Sequence, residues 1–131
     1  MDKEEFLSYE KLLVWKKAID WASDVIDLVD TINYNRKHYR LIEQLESSST
    51  SVALNIAEGK GRLSQKEFRQ YLYISRGSLY ETLSLLLIMK KKTWISDEDY
   101  NKIRANGLEI NKMINSLQFS LTKSIGDRKS S

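Results

Sequence analysis

The sequence predicts an all-α fold, an antiparallel up-down-up-down four-helix bundle, on three observations. Among 131 residues there is no proline, so nothing removes a backbone donor from a helix interior or clashes with the preceding turn. Four stretches carry apolar residues at intervals of three and four, the repeat of one helix face. The turns between them are short, and short connections make consecutive helices antiparallel neighbours. Hydrophobic residues make up 41% and charged residues 30% of the chain, a globular balance that fits one domain over 1–131 with a single core.

Residues 1–9 read as a loose lead-in, and helix 1 is expected at about 10–32. Its seam is Trp15, Ala18, Ala22, Val25, Val29 and Ile32. A second apolar row, Val14, Trp21 and Leu28, repeats every seven residues and is joined by Ile19 and Ile26. One stripe of roughly 100° is enough to enter a small bundle, so the second row is either a subunit contact or a widening of one core face. Asn33 to Lys37 form a polar turn. Helix 2 is expected at about 38–58, with Leu41, Leu45, Val52 and Ile56 inward, Ile42 beside them and His38 solvated at its start. The hydroxyl run Ser47 to Ser51 is unusual inside a helix, because serine and threonine compete for local backbone groups. It signals either a close approach by a neighbouring helix or a solvated face.

A basic loop, Lys60-Gly61-Arg62, leads to helix 3 at about 65–92, where Ser64 and Glu67 have the spacing of a capping box. Phe68, Leu72, Ser75, Leu79, Leu83 and Leu86 are its inner row. A hairpin turning near Gly61 would bring Gly77 close to Leu45 and Glu46, its missing side chain letting the helices touch. The same register sets Arg76 near Glu43 or Glu46. Ser96 and Asp99 repeat the capping spacing before helix 4, at about 97–125, whose seam is Ile103, Gly107, Ile110, Ile114, Leu117 and Leu121. The polar tail, 126–131, is expected to be loose.

Net charge is +3, but it is segregated. Residues 1–35 hold four lysines against eight acids, whereas residues 60–92 hold eight Lys or Arg against Glu67 and Glu81. Arg62, Lys66, Arg69, Tyr73, Arg76 and Tyr80 recur at spacings of four and three, which lays a basic and aromatic stripe along helix 3. Such a stripe suits a polyanion, or the acidic segment of another subunit. With Lys60 it supplies the candidate nucleic-acid contacts Lys60, Arg62, Lys66, Arg69 and Arg76 to phosphates, and Tyr73 as a stacking surface.

Catalytic patterns are missing. There is no cysteine and one histidine, so no thiolate nucleophile is available and no Glu-x-x-His pair exists, and Ser64 and Ser78 have no plausible base other than carboxylates, so a triad is not offered. The sequence therefore reads as that of a non-enzyme with no metal site and no cofactor. The acidic start MDKEEFLSYEKLL is unlike a signal peptide. The run Leu83 to Met89 is too short to span a bilayer. A cytoplasmic protein without a membrane partner is the expectation.

The stretches Asn55-Ile-Ala-Glu-Gly-Lys-Gly-Arg62, Lys66-Glu-Phe68 and Arg76-Gly-Ser-Leu-Tyr-Glu81, with Leu13-Val-Trp-Lys-Lys-Ala18 and the Trp94-Ile95-Ser96 turn, carry a further signal. In them the chain resembles the bacterial four-helix-bundle family of ribosomal RNA intervening-sequence proteins, related to the accessory proteins of diversity-generating retroelements. The likeness covers nearly the whole chain, with Asn55, Glu58, Gly59, Gly77 and Ser78 among its motif positions. It implies a four-helix bundle, a homopentamer, and an RNA or DNA partner, with a reverse transcriptase as protein partner in the related group. Two positions depart from the family pattern. Glu46 and Ser47 stand where a pair of arginines is common, which removes two cations from helix 2. Ala53 stands where proline is common, which leaves that helix straighter. Asn55 and Glu58 are expected to hold the end of helix 2. Two functions follow: a nucleic-acid-binding module using the stripe, or an oligomeric scaffold in which Val14, Trp21 and Leu28 contact a neighbour and the stripe meets that neighbour's Asp20, Asp24 and Asp27.

Overall fold

The computed structural model describes residues 5–32 and 38–130; the polar turn predicted at 33–37 lies outside them. A 3-10 turn, Ser8–Lys11, leads into α1 (Leu13–Asp30), then α2 (Tyr39–Lys60), α3 (Gln65–Lys91) and α4 (Asp97–Ser130). Each helix packs on two others, α1 and α3 both lying against α2 and α4, and among the described residues the diagonal pairs make no contact. This is the predicted four-helix bundle. Its antiparallel register is visible in side-chain pairs: Ser48 with Thr82 and Ser51 with Ser78 between α2 and α3, then Arg69 with Thr122 and Arg76 with Asn115 between α3 and α4.

Capping explains three helix ends, the starts of α3 and α4 and the end of α3. The Glu67 and Asp99 amides donate to Ser64 Oγ and Ser96 Oγ at 3.1 and 3.0 Å. The predicted box at Ser64 is half formed, since the Glu67 carboxylate takes the Ser64 hydroxyl at 3.3 Å. α3 is stopped two residues past Lys91 by Thr93, whose φ of 61° is left-handed; Thr93 N donates to Lys90 O and Trp94 N to Met89 O, the pair of hydrogen bonds of a Schellman cap. Both ends of α1 and the last residues of α2 and α4 differ from expectation by two or more residues, α1 stopping at Asp30. α1 starts at Leu13 because Leu12 is extended, with ψ of 120°. α2 runs to Lys60, carrying Gly59 inside the helix. α4 continues to Ser130 through the predicted loose end, since nothing in that polar tail forbids helical φ and ψ.

The core runs the length of the bundle through Trp21, Val25, Leu45, Val52, Ile56, Leu72, Leu79, Leu86, Met89, Ile110 and Ile114. Val14, Trp21 and Leu28, the row offered as a subunit contact, belong to this core. α1 sits between two neighbours, so its buried arc is wider than one stripe, and this row is the flank turned to α4. Trp21 is 1% exposed and its indole N–H donates to the Ile103 carbonyl at 2.9 Å. Gly107 makes room for that ring: a Cβ there would stand 3.2 Å from Trp21 Cζ2.

Within the hydroxyl run of α2, Ser48 and Ser51 make the close approach to α3, while Ser47 is exposed and Ser49 and Thr50 bond carbonyls of their own helix. Ser48 and Thr82 hydroxyls are 2.8 Å apart, Ser51 and Ser78 are 2.9 Å apart, and Ser75 donates to the Val52 carbonyl at 2.7 Å. Small hydroxyl side chains bring two backbones together while satisfying their own polar atoms. The glycine of this approach is Gly59, where a Cβ would lie 2.6 Å from Tyr71 Cβ. Gly77 was expected in that role and is elsewhere. It is exposed with nothing within 4 Å of its missing Cβ, because Ser75, Ser78 and Thr82 set the face of α3 that meets α2. Gly77→Ala is accordingly expected to stabilise the bundle by about 0.5–1 kcal/mol, read as a higher urea midpoint with an unchanged denaturant slope. His38, expected in solvent, is half-buried with its ring 4.7 Å from that of Trp94.

Candidate functional site

α3 presents two flanks, and the one away from α2 carries the basic and aromatic stripe. Arg69 Nη1 donates to Thr122 Oγ1 at 3.2 Å. Arg76 Nη1 donates to Asn115 Oδ1 at 2.7 Å and to Gln118 Oε1 at 3.2 Å, and the Tyr80 hydroxyl donates to Asn111 Oδ1 at 3.2 Å. Arg76 did not find Glu43 or Glu46, since it points to α4 rather than α2. Its guanidinium carbon lies 5.1 Å from the Tyr73 ring centroid and 6.0 Å from that of Tyr80. Both tyrosines are exposed, at 44% and 48%.

The electrostatic consequence follows from what these partners are. Among the described residues the ion pairs are Lys17 with Glu109, Arg62 with Glu58 and Lys90 with Asp97. Arg69 and Arg76 are oriented by hydroxyl and amide oxygens, which fix a guanidinium without cancelling its charge. Arg76 spends Nη1 on α4 and keeps the N–H groups of Nη2 and Nε for another acceptor. Lys66 is exposed and belongs to none of these ion pairs. Lys60 rests its ammonium 5.6 Å from the Phe68 ring centroid.

Arg62 stands apart. It pairs with Glu58, donates to the Tyr71 hydroxyl at 2.6 Å and stacks 4.9 Å from that ring. The Tyr71 oxygen first, and Glu58 after it, push the Arg62 pKa upward. Its charge is committed to the corner between α2 and α3, so the stripe proper is Lys66, Arg69, Tyr73, Arg76 and Tyr80. The motif positions act around that corner. Asn55 Nδ2 donates at 2.8 Å to both the carbonyl and the hydroxyl of Ser51, which meets Ser78. Glu58 anchors Arg62, and Gly59 admits Tyr71.

Helix 4 contributes what sequence reading passed over. Asn111, Asn115, Gln118 and Thr122 follow one another at spacings of four, three and four, so one face of α4 supplies every acceptor to the stripe. That run of uncharged polar residues was the available signal. Gln118 commits its oxygen to Arg76, and its buried Nε2 has no partner. Phe119, next to Gln118 in sequence, is 72% exposed.

The groove between α1 and α4 has the opposite character. Asp20, Asp24, Asp27, Asp99 and Glu109 line it, against Lys17 and Lys102. Among the described residues no group of three or more His, Asp or Glu side chains is arranged to hold a metal ion, and no helix is long and apolar enough to cross a membrane.

The family model described as 23S rRNA-intervening sequence protein matches residues 10–116 of this chain. Among solved structures, the chain is similar to a protein of unknown function from the S23 ribosomal protein family of Bacteroides thetaiotaomicron. The two share 26% identity at a TM-score of 0.75, over 81% of this chain and 98% of the other. No curated protein matches.

Proposed function

The chain belongs to the 23S rRNA-intervening sequence protein family, and from that premise we propose that it is a non-enzymatic nucleic-acid-binding module of the cytoplasm. Its binding surface is the stripe Lys66, Arg69, Tyr73, Arg76 and Tyr80 on α3, with Lys60 and Arg62 at one end. The observation that carries this reading is the neutral anchoring of Arg69 and Arg76 by Thr122, Asn115 and Gln118. Guanidinium groups held in place and left unneutralised are suited to phosphates, where fixed fork geometry and full charge both count. Fluorescence anisotropy with a structured RNA and a DNA duplex at two salt concentrations tests it. Affinity is expected to fall steeply with salt, by about 0.7–0.9 logarithmic units per contact for each tenfold rise in salt. No binding at low salt would contradict the reading.

A second reading rests on the acidic groove between α1 and α4. It complements the stripe in charge and lies on another side of the bundle. Self-association through these two faces is head-to-tail, which gives a ring where the rotation between subunits closes and an open filament where it does not; the homopentamer implied by the family resemblance is one closed case. Sedimentation at low and high salt separates the two: a ring that dissociates with salt while RNA binding is absent favours self-association.

A further inference from the structure

The buried polar side chains of the bundle are short hydroxyls with one exception. Ser48, Ser49, Ser75 and Thr82 all lie in the core, and each hydroxyl has a hydrogen-bond partner. Among the described residues Gln118 stands apart. It follows Ile110 and Ile114 on the inner row of α4, precedes Leu121, and is 5% exposed. Its Oε1 accepts from Arg76 Nη1 at 3.2 Å, while its buried Nε2 has no partner.

The orphaned nitrogen is a consequence of serving Arg76. A guanidinium carries only donors, so the amide atom that faces it must be the oxygen. Turning the amide over would set N–H against N–H. The nitrogen is therefore left in the core, where an unmade hydrogen bond destabilises the fold. Two other side chains would relieve this. Methionine adapts to a core position and has no donor. Glutamate has two acceptor oxygens and no N–H, but its charge would cancel that of Arg76.

We propose that Gln118 is a positioning residue of the nucleic-acid surface, a neutral acceptor that holds Arg76 for a phosphate while destabilising the bundle itself. The proposal rests on the reading of α3 as a phosphate-binding surface and assigns the buried part of that site. Asn115 and Gln118, three residues apart on α4, take the same Nη1 at 2.7 and 3.2 Å. The guanidinium also lies over the Tyr73 and Tyr80 rings, at 5.1 and 6.0 Å from their centroids. With Nη1 committed and both rings covered, its Nε and Nη2 donors stay available to a phosphate. A side chain ordered in advance spares the binding step that ordering cost.

The test uses the full chain, anisotropy with a short single-stranded RNA, and urea titration. Gln118→Met is expected to raise the urea midpoint, because a buried donor without a partner is gone. It should also weaken RNA binding roughly 3- to 10-fold, the ordering cost of one long side chain. In an Arg76→Gln background the same substitution should leave RNA affinity where Arg76→Gln alone puts it. Gln118→Glu keeps an acceptor in place but neutralises Arg76. Its logarithmic slope of affinity against salt should become shallower by about 0.7, one contact. A glutamine that only packed would show neither the dependence on Arg76 nor the change of slope. Three results would each overturn the positioning role and leave the phosphate surface standing: wild-type RNA affinity of Gln118→Met, a lowered urea midpoint for it, or an equal loss with and without Arg76. An unchanged salt slope in a folded Gln118→Glu would do the same. A wild type that fails to bind RNA would overturn the surface and the role together.

Discussion

Replacing Trp21 with alanine is expected to lower the stability of the bundle by about 3–5 kcal/mol. The indole is buried between α1 and α4, donates its N–H to the Ile103 carbonyl, and lies against the bare face of Gly107. Removing it takes a large apolar surface out of the core and leaves a cavity. Small domains are stable by only about 5–15 kcal/mol in total, so the variant should melt far below the wild type. Trp21→Phe keeps most of the apolar contact and loses the hydrogen bond, and should cost about 1–2 kcal/mol. Urea titration followed by circular dichroism reads both. The loss should be independent of protein concentration. A concentration-dependent loss would instead put Trp21 at a subunit boundary.

The neutral pair Lys66→Gln with Arg69→Gln is expected to cut RNA affinity at low salt by roughly 10- to 100-fold, because two phosphate contacts vanish together with the counterions they release. Helicity should hold. Lys66 is exposed, and Gln at position 69 retains a side-chain amide beside Thr122, so neither change leaves a buried charge. Arg62 is the informative control. Its guanidinium is already paired with Glu58 and stacked on Tyr71, so Arg62→Gln should weaken binding much less than either stripe substitution while loosening the corner between α2 and α3.

Much of this molecule is legible in its sequence, and the parts that are not share a cause. Helix number and order come from apolar spacing, and the ends at Ser64 and Ser96 from capping side chains whose geometry is local. The run Ser47 to Ser51 announces a close approach because only small side chains allow one. What spacing does not give is the rotation of each helix about its axis once several faces compete. Successive residues turn by about 100°, so Gly77 and Ser78 point to quite different neighbours, and Gly77 was given the α2 contact that Ser78 makes although the inner row of α3 was read correctly. Gly59 makes that contact because the hydroxyls of Ser75, Ser78 and Thr82 pair with α2 and fix the rotation. The same limit applies to Val14, Trp21 and Leu28: a heptad row looks alike whether it meets another helix of its own chain or a second subunit. The end of α4 shows a different limit. A polar composition marks where a helix stops being buried, not where it stops being helical. In the candidate site the cations were readable, but their fixed orientation depends on Asn111, Asn115, Gln118 and Thr122, more than thirty residues away in sequence.

The claim that α3 is a phosphate-binding surface is tested most directly by the salt dependence of single-stranded RNA binding, compared between the wild type and Lys66→Gln with Arg69→Gln. A surface that engages phosphates through these residues predicts that the logarithmic slope of affinity against salt becomes shallower by about 1.4, two contacts at about 0.7 each. An unchanged slope in the double variant, or a wild type whose affinity does not respond to salt, would contradict it.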